Sequence, residues 1–273
     1  MTFRDTTQTR IVAYVVLGFA AVLIIAPLLY IVSASFKDEV AIFEESMSLI
    51  PSEPITDNFE QLADEFPAYI FNSFKVTIII VIVQLLTATT AGYAFSKLKW
   101  RGREVLFLTY VASIMVPLHA VIIPQFALVR TLGLYDTHLA LILVSAFTAF
   151  GTFLVRQFFL TIPDSLLESA RIDGAGEWQI FAQIMIPLSK PVIATLVIFS
   201  FRWFWNDFFV PLIYLTSDEL KTLPLGMAEF ATQYFTYYGP QMAAALISII
   251  PVMIVFLAAQ RYFVQGIATT GIK

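Results

Sequence analysis

Arg202, Asn206 and Asp207 are the residues best placed for chemistry, because they stand inside an otherwise apolar stretch from Pro191 to Leu215. Charges in such a run are costly and face either a protein interior or a water-filled path. Arg202 and Asn206 are four residues apart and share one helix face, with Asp207 next door. Two readings stand. With Trp203, these residues line a route for a polar solute or its outer gate, or they make a satisfied ion pair against a partner chain. Trp203, Phe204, Trp205, Phe208 and Phe209 crowd the same stretch, and aromatic faces suit ring-shaped solutes as well as ordinary packing. Catalytic chemistry is poorly supplied. The chain has no cysteine, which removes a thiol nucleophile, disulfides and thiolate metal sites. His119 and His138 are its two histidines. They are not at metal-ligand spacing and read as packing or interface residues, so no metal site is expected. With no clustered nucleophile or metal set, a membrane-embedded enzyme has nothing to work with.

The elements that hold these residues must be membrane spans. Hydrophobic residues make up 59% of the 273, charged residues only 13%, and the mean hydropathy is +0.81. A soluble domain is about 25% charged, so the bilayer is the better solvent for this chain. A spanning helix needs about 20 mostly apolar residues. Six stretches qualify: Ile11 to Val32, Phe71 to Ala94, Val105 to Val129, Thr137 to Val155, Pro191 to Leu215, and Pro240 to Gln260. They are too long and too evenly apolar for barrel strands. The expected class is all-α, a polytopic membrane protein with six transmembrane helices. The first stretch has the basic start of a signal peptide (Arg4, Arg10) and a cleavage-like Ser33-Ala34-Ser35. Its apolar run exceeds the about 15 residues of a signal and reads as a retained anchor. Lys75 reads as snorkelling to the outer headgroups, and Pro117 and Pro124 as kinks in the third span.

Basic residues orient the spans. With both termini inside, Arg4, Arg10, Lys97, Lys99, Arg101, Arg103, Arg156, Arg171, Lys190, Arg261 and Lys273 are cytoplasmic, and Lys37, Arg130 and Lys221 are outside, eleven against three. The scattered cations form no stripe for nucleic acid. The chain divides into residues 1–70, an anchor with an acidic outer loop; 71–260, the transmembrane domain with a cytoplasmic loop at 162–190; and a tail, 261–273. The outer loop carries nine acidic residues and one lysine. It serves either to dock a soluble partner or simply as a solvated segment.

The cytoplasmic loop has the densest pattern. Ser165 and Glu168 fit a capping box at the start of a helix over Leu166 to Ile172. Gly174 suits the left-handed residue that ends it. A second helix opens near Glu177 and places Trp178, Phe181, Ala182 and Met185 on one face, and Pro187 closes it. This is an elbow of two helices, either a docking surface or a plain link between spans.

The elbow resembles the EAA motif of permease subunits in binding-protein-dependent ABC importers. Glu168-Ser169-Ala170, Gly174, Ile184 and Ile186-Pro187 stand at the family's spacing, with Ser169 in place of an alanine and Ile186 in place of leucine. The longer sugar-permease form is matched by Asp173-Gly174-Ala175, Phe181, Pro187-Leu188 and Pro191. Asn72-Ser73-Phe74, Gly92-Tyr93-Ala94-Phe95, Trp205-Asn206-Asp207-Phe208 and the tail from Gln260 to Gly266 resemble the maltose-type second permease, so the likeness covers nearly the whole chain. It implies the type I ABC importer transmembrane fold in the cytoplasmic membrane. It also implies that Glu168, Ser169, Ala170, Asp173, Gly174, Ala175, Phe181, Ile184 and Pro187 couple the chain to an ATPase. The implied partners are an ATPase dimer, a companion permease, an extracellular solute-binding protein and a carbohydrate, with glycerol 3-phosphate as the runner-up. In this family the bound sugar can rest on the companion subunit alone. No glycine here is followed directly by lysine, so the chain lacks a phosphate-binding loop. ATP and Mg²⁺ are then expected on the partner, with no cofactor on this chain. An ion-coupled carrier is the competing class. It needs buried carboxylates and often inverted repeats; only Asp207 is on offer, and no repeat is visible.

Overall fold

A computed structural model describes residues 7–46, 48–231 and 236–270, with residues 8, 9 and 261–270 described by their backbone alone. Arg4, Lys273 and the side chains of the tail from Arg261 to Gly266 therefore lie outside the described residues. Regular structure among the described residues is helical, apart from one isolated bridge between Ala231 and Thr236. Three helices are long and apolar enough to cross a bilayer unbroken: α1 (Thr7–Ala34), α4 (Phe66–Ser96) and α13 (Tyr238–Thr270). The short helices α2 (Glu39–Glu44) and α3 (Asp57–Glu60) stand between the first two.

The other expected spans are each bent pairs. The third is α5 (Arg103–Ala112) with a 3-10 turn to Met115, then α6 (Leu118–Thr131), at 101°. The fourth is α7 (His138–Val144) and α8 (Ala149–Thr161), at 46°. At the fifth, the elbow helix α10 (Glu177–Leu188) meets α11 (Lys190–Trp205) at a bend of 76°. Counting each pair as one gives up to six crossings. Pro117 explains the sharpest break. It holds extended backbone before α6 and has no N–H to continue α5. Pro124 lies inside α6 without ending it.

The chain forms two compact units, Met1–Pro67 with Met227–Ile250, and Ala68–Gly226 with Pro251–Lys273. In the first, Lys37 is fully buried, and its ammonium donates to the carbonyls of Glu45 and Ser48, both at 2.8 Å. Asn58 donates to the carbonyls of Ser35 and Lys37 at 3.0 and 2.8 Å. These bonds close the segment between α1 and α4 around a cation that would otherwise be costly to bury.

In the second unit, buried Ala88, Tyr93, Val155, Phe159, Leu167 and Met185 belong to one core cluster. Gly92 lets α4 approach α8 closely, since a Cβ there would stand 2.7 Å from Val155 Cγ1. The break in the fourth span frees carbonyls that α4 satisfies. Gln84 Nε2 donates to Ser145 O at 2.7 Å, Thr87 Oγ1 to Ala146 O at 3.0 Å, and Ser200 Oγ to Gln84 Oε1 at 2.8 Å. Broken helices survive in a membrane only where protein groups take over such bonds. Lys75 is exposed. His138 is buried with Nε2 2.8 Å from Leu220 O, and His119 packs against Phe209.

Candidate functional site: the elbow and the break in span five

The elbow starts at Pro163, whose extended backbone precedes α9 (Asp164–Ile172). The expected capping box is not formed. The helix begins one residue before Ser165, and the Ser169 hydroxyl back-bonds to Ser165 O at 2.8 Å. A lysine from the neighbouring span holds this end instead. Lys97 Nζ donates to Ile162 O and to Asp164 Oδ1, both at 2.6 Å. The Lys97 ammonium holds the Asp164 carboxyl below the usual range.

The other end of α9 is a Schellman turn. Gly174, at φ +87°, donates to Arg171 O at 3.0 Å, and Ala175 to Ala170 O at 2.9 Å. These are the paired bonds that satisfy a helix's last carbonyls, and they need the left-handed residue glycine supplies. Ala170 and Ala175 pack against the core cluster, and Leu167 is buried in it. Glu168, Ser169, Asp173 and Gly174 are exposed, as are Ile172 and Trp178.

The second elbow helix keeps half of the expected face, Phe181 and Met185, and turns the other half, Trp178 and Ala182, outward. Trp178 is 75% exposed and Ala182 is exposed, while Ile180 and Met185 are fully buried and Phe181 and Ile184 partly so. Residues Ile180–Met185 form a π-helical turn. Its wider winding brings positions five apart to one side, which pairs Ile180 with Met185. Pro187 does not end the helix. It is exposed one residue before Leu188, and the break falls at Ser189.

One polar link joins span and elbow. Tyr93, in α4, donates its hydroxyl to Glu177 Oε2 at 2.6 Å, and Arg171 donates through Nε to Glu177 Oε1 at 2.9 Å. Glu177 thus ties both elbow helices to α4. Arg171, then Tyr93, pull its carboxyl below the usual range. The Tyr93 ring also meets Phe159 edge-on and Phe181 at a tilt. Sequence reading passed over Tyr93, Lys97 and Glu177 as parts of this site. The available signal was a tyrosine near the end of an apolar run, facing a loop rich in charge.

The second candidate set is split by a helix break. α11 ends at Trp205, and α12 (Phe209–Tyr214) restarts beyond Phe208, so Pro191 to Leu215 is not one continuous helix. Asn206 is the C-cap residue and its side-chain amide donates to Arg202 O at 2.8 Å. Arg202, Trp203 and Asn206 are exposed. Asp207 turns away, accepts Val210 N–H at 3.2 Å, and lines a small cavity with Ser73, Thr77 and Thr222. No ion pair joins Arg202 to Asp207. Trp205 is fully buried between Phe74 and Phe201.

Comparison with known proteins gives this architecture a family. Residues 84–269 match the binding-protein-dependent transport system inner membrane component family. The arabinooligosaccharides transport system permease protein AraQ of Halalkalibacterium halodurans is 35% identical over 94% of this chain and 95% of its own length. The lactose transport system permease protein LacG of Rhizobium radiobacter is 33% identical over 94% of each. A crystal structure of a bacterial ABC transporter that imports the acidic polysaccharide alginate contains a chain 27% identical, with a TM-score of 0.83 over 96% of this chain and all of that one. The elbow, the bent spans and these matches agree, and the chain belongs to the family of binding-protein-dependent transport system inner membrane components, as a multi-pass membrane permease.

Proposed function

We propose that the chain is one of two permeases in an ATP-driven importer that carries a di- or oligosaccharide across the cytoplasmic membrane by alternating access. Its relatives named for arabinooligosaccharides and lactose support the substrate class. The observation that carries the mechanism is the elbow. Its outer surface presents Glu168, Asp173, Ile172 and Trp178, while Leu167, Lys97 and the Tyr93–Glu177–Arg171 link fasten its inner surface to the spans. A push on the outer surface therefore moves α4 and α8 rather than bending the loop. Glu168, Ser169, Asp173 and Gly174 are the contact face for an ATPase subunit. Ala170, Ala175, Phe181 and Ile184 are its internal packing, and Pro187 lies in the last turn of α10, two residues before the break at Ser189.

ATP and Mg²⁺ belong to the ATPase dimer, because this chain has no phosphate-binding loop. Closure of that dimer pushes the elbow and turns the cavity outward to receive sugar from an extracellular solute-binding protein. Hydrolysis resets it. Arg202, Trp203 and Asn206, exposed together at the break in span five, are the contribution of this chain to the path or to its seam with the companion permease.

The test is ATP hydrolysis by the reconstituted complex, with binding protein and either an arabinooligosaccharide or glycerol 3-phosphate. Hydrolysis by wild type rises with the oligosaccharide. Gly174→Asp and Glu168→Ala assemble but lose that stimulation. Normal stimulation in both variants removes the elbow from coupling, and stimulation by glycerol 3-phosphate alone reassigns the substrate.

A further inference from the structure

Between the end of α4 and the start of α5 lies an open groove of about 690 Å³, lined in part by Lys99, Trp100, Arg103, Val105 and Leu160. Two carboxylates also line it, but both are occupied. Asp164 holds Lys97 at 2.6 Å and Glu104 holds Arg156 at 2.7 Å. The charge left over is positive. Lys99 is exposed and makes no hydrogen bond or ion pair among the described residues. Arg103 donates through Nη1 to Leu98 O at 2.9 Å and to Ser96 O at 3.4 Å, and its Nε stands 3.9 Å from Glu104 Oε2. These contacts fix its guanidinium beside the groove, and since Arg156 also engages Glu104, two guanidiniums share that one carboxylate. Trp100 is 40% exposed, and its ring is held by a bond from Nε1 to Ala94 O at 3.2 Å. Below these polar groups the wall turns apolar: Val105 and Leu160 line it, and exposed Leu108 continues the strip one turn along α5.

Charge and position decide what fits. The groove sits at the membrane-surface end of α4, where tryptophan settles at headgroup level. A fixed guanidinium is suited to phosphate oxygens, and a lysine nearby adds attraction to an anionic surface. A free phosphate would use the cations and leave the apolar strip uncovered, whereas a phospholipid uses both. We propose that this groove binds the phosphate headgroup of an anionic phospholipid, held by Lys99 and Arg103, with one acyl chain along Val105 and Leu108. The bound lipid seats the hinge between the second and third spans, next to the Lys97–Asp164 pair that fastens the elbow.

The test is native mass spectrometry of the full-length chain with its accompanying subunits, titrated with dioleoylphosphatidylglycerol or dioleoylphosphatidylcholine. Phosphatidylglycerol adducts are expected to persist at a lower lipid concentration than phosphatidylcholine adducts. Lys99→Gln, at an exposed position without a protein partner, lowers phosphatidylglycerol retention about fivefold, and Arg103→Gln adds a similar factor. Lys190→Gln, outside the groove, changes nothing. Equal retention of the two lipids, or unchanged retention in Lys99→Gln, overturns the proposal. Displacement of phosphatidylglycerol by millimolar inorganic phosphate reassigns the groove to a free anion. A cross-link from Lys99 to an accompanying soluble subunit gives it to a protein; either result ends the lipid reading.

Discussion

Tyr93 and Glu177 make the residue-scale contact on which the elbow depends. The bond is short, its acceptor is charged, and Tyr93 is otherwise packed among rings. Tyr93→Phe keeps that packing and deletes only the donor. The expected cost is roughly 1–2 kcal/mol, toward the low end because Glu177 is partly solvated and keeps Arg171. The functional loss is larger, since one of the ties between span and elbow is gone. Thermal unfolding and sugar-stimulated hydrolysis, measured on one preparation, separate the two effects; equal stimulation in Tyr93→Phe and wild type removes the link from coupling. Asp136 makes a different kind of contact. It adopts φ +58°, and its carboxylate accepts from the Ser217 hydroxyl at 2.5 Å and from the Thr216 and Ser217 amides at 2.8 and 3.1 Å. The Ser217 hydroxyl first, then the two amides, bring its pKa down to about 2. A folded-state pKa below the unfolded one gives stability that is complete above the unfolded value and lost as pH falls through the folded one. The unfolding midpoint is therefore flat from about pH 7 to 5 and drops between about 4 and 2. In Asp136→Asn, which tolerates the left-handed backbone, the acid drop is smaller because one titrating group is missing. An identical acid drop in both proteins shows that Asp136 contributes nothing to it.

Element by element, the sequence announces where helices lie better than where they break. The unbroken helices and the elbow follow from apolar length, the position of Gly174 and the spacing of the loop motif. Pro117 announces the break in span three. Nothing comparable marks the break in span four at Ser145, whose carbonyl is taken by Gln84 from far along the chain, or the one in span five at Asn206, where Asn206 donates back to Arg202 O and Asp207 accepts from Val210 N–H. The π turn was hidden as well. A hydrophobic period of 3.6 assigns Trp178 and Ala182 inward with Phe181 and Met185; the wider winding, packed in the cluster of Leu167 and Phe159, keeps Phe181 and Met185 inside, adds Ile180 and leaves Trp178 and Ala182 exposed. Arg202 and Asp207 looked like neighbours on one helix, yet the chain turns between them. Helix contact also explains two glycines that look alike in sequence. A Cβ at Gly92 would meet Val155 and the Arg156 backbone, so Gly92→Ala overpacks the α4–α8 contact and costs about 1–3 kcal/mol. A Cβ at Gly102 meets nothing, and Gly102→Ala carries only the backbone cost of its φ of +85°, about 1 kcal/mol. Val155→Ala should restore part of the loss in Gly92→Ala and none in Gly102→Ala. Equal unfolding midpoints for the two single variants would sink this account of the contact.

For the whole molecule, orientation rests on charge rather than on contacts. Apolar length puts the helices in a bilayer but is symmetric between its two sides. The asymmetry comes from lysine and arginine, eleven against three, counted near the ends of the spans, where they decide which side is retained in the cytoplasm. That count predicts the elbow and the proposed lipid groove inside and the turn that holds Asp136 and Ser217 outside. The absence of cysteine makes the placement simple to test, because a single introduced thiol is the sole target of a maleimide. Ser165 on the elbow and Glu219 beyond span five are both exposed. In right-side-out vesicles, Glu219→Cys reacts with a membrane-impermeant maleimide and Ser165→Cys does not; in inverted vesicles the pattern reverses. The elbow can meet a cytoplasmic ATPase only in that arrangement. Labelling of Ser165→Cys from the outside would invert the chain, leave the elbow facing away from any source of ATP, and reopen ion-coupled transport.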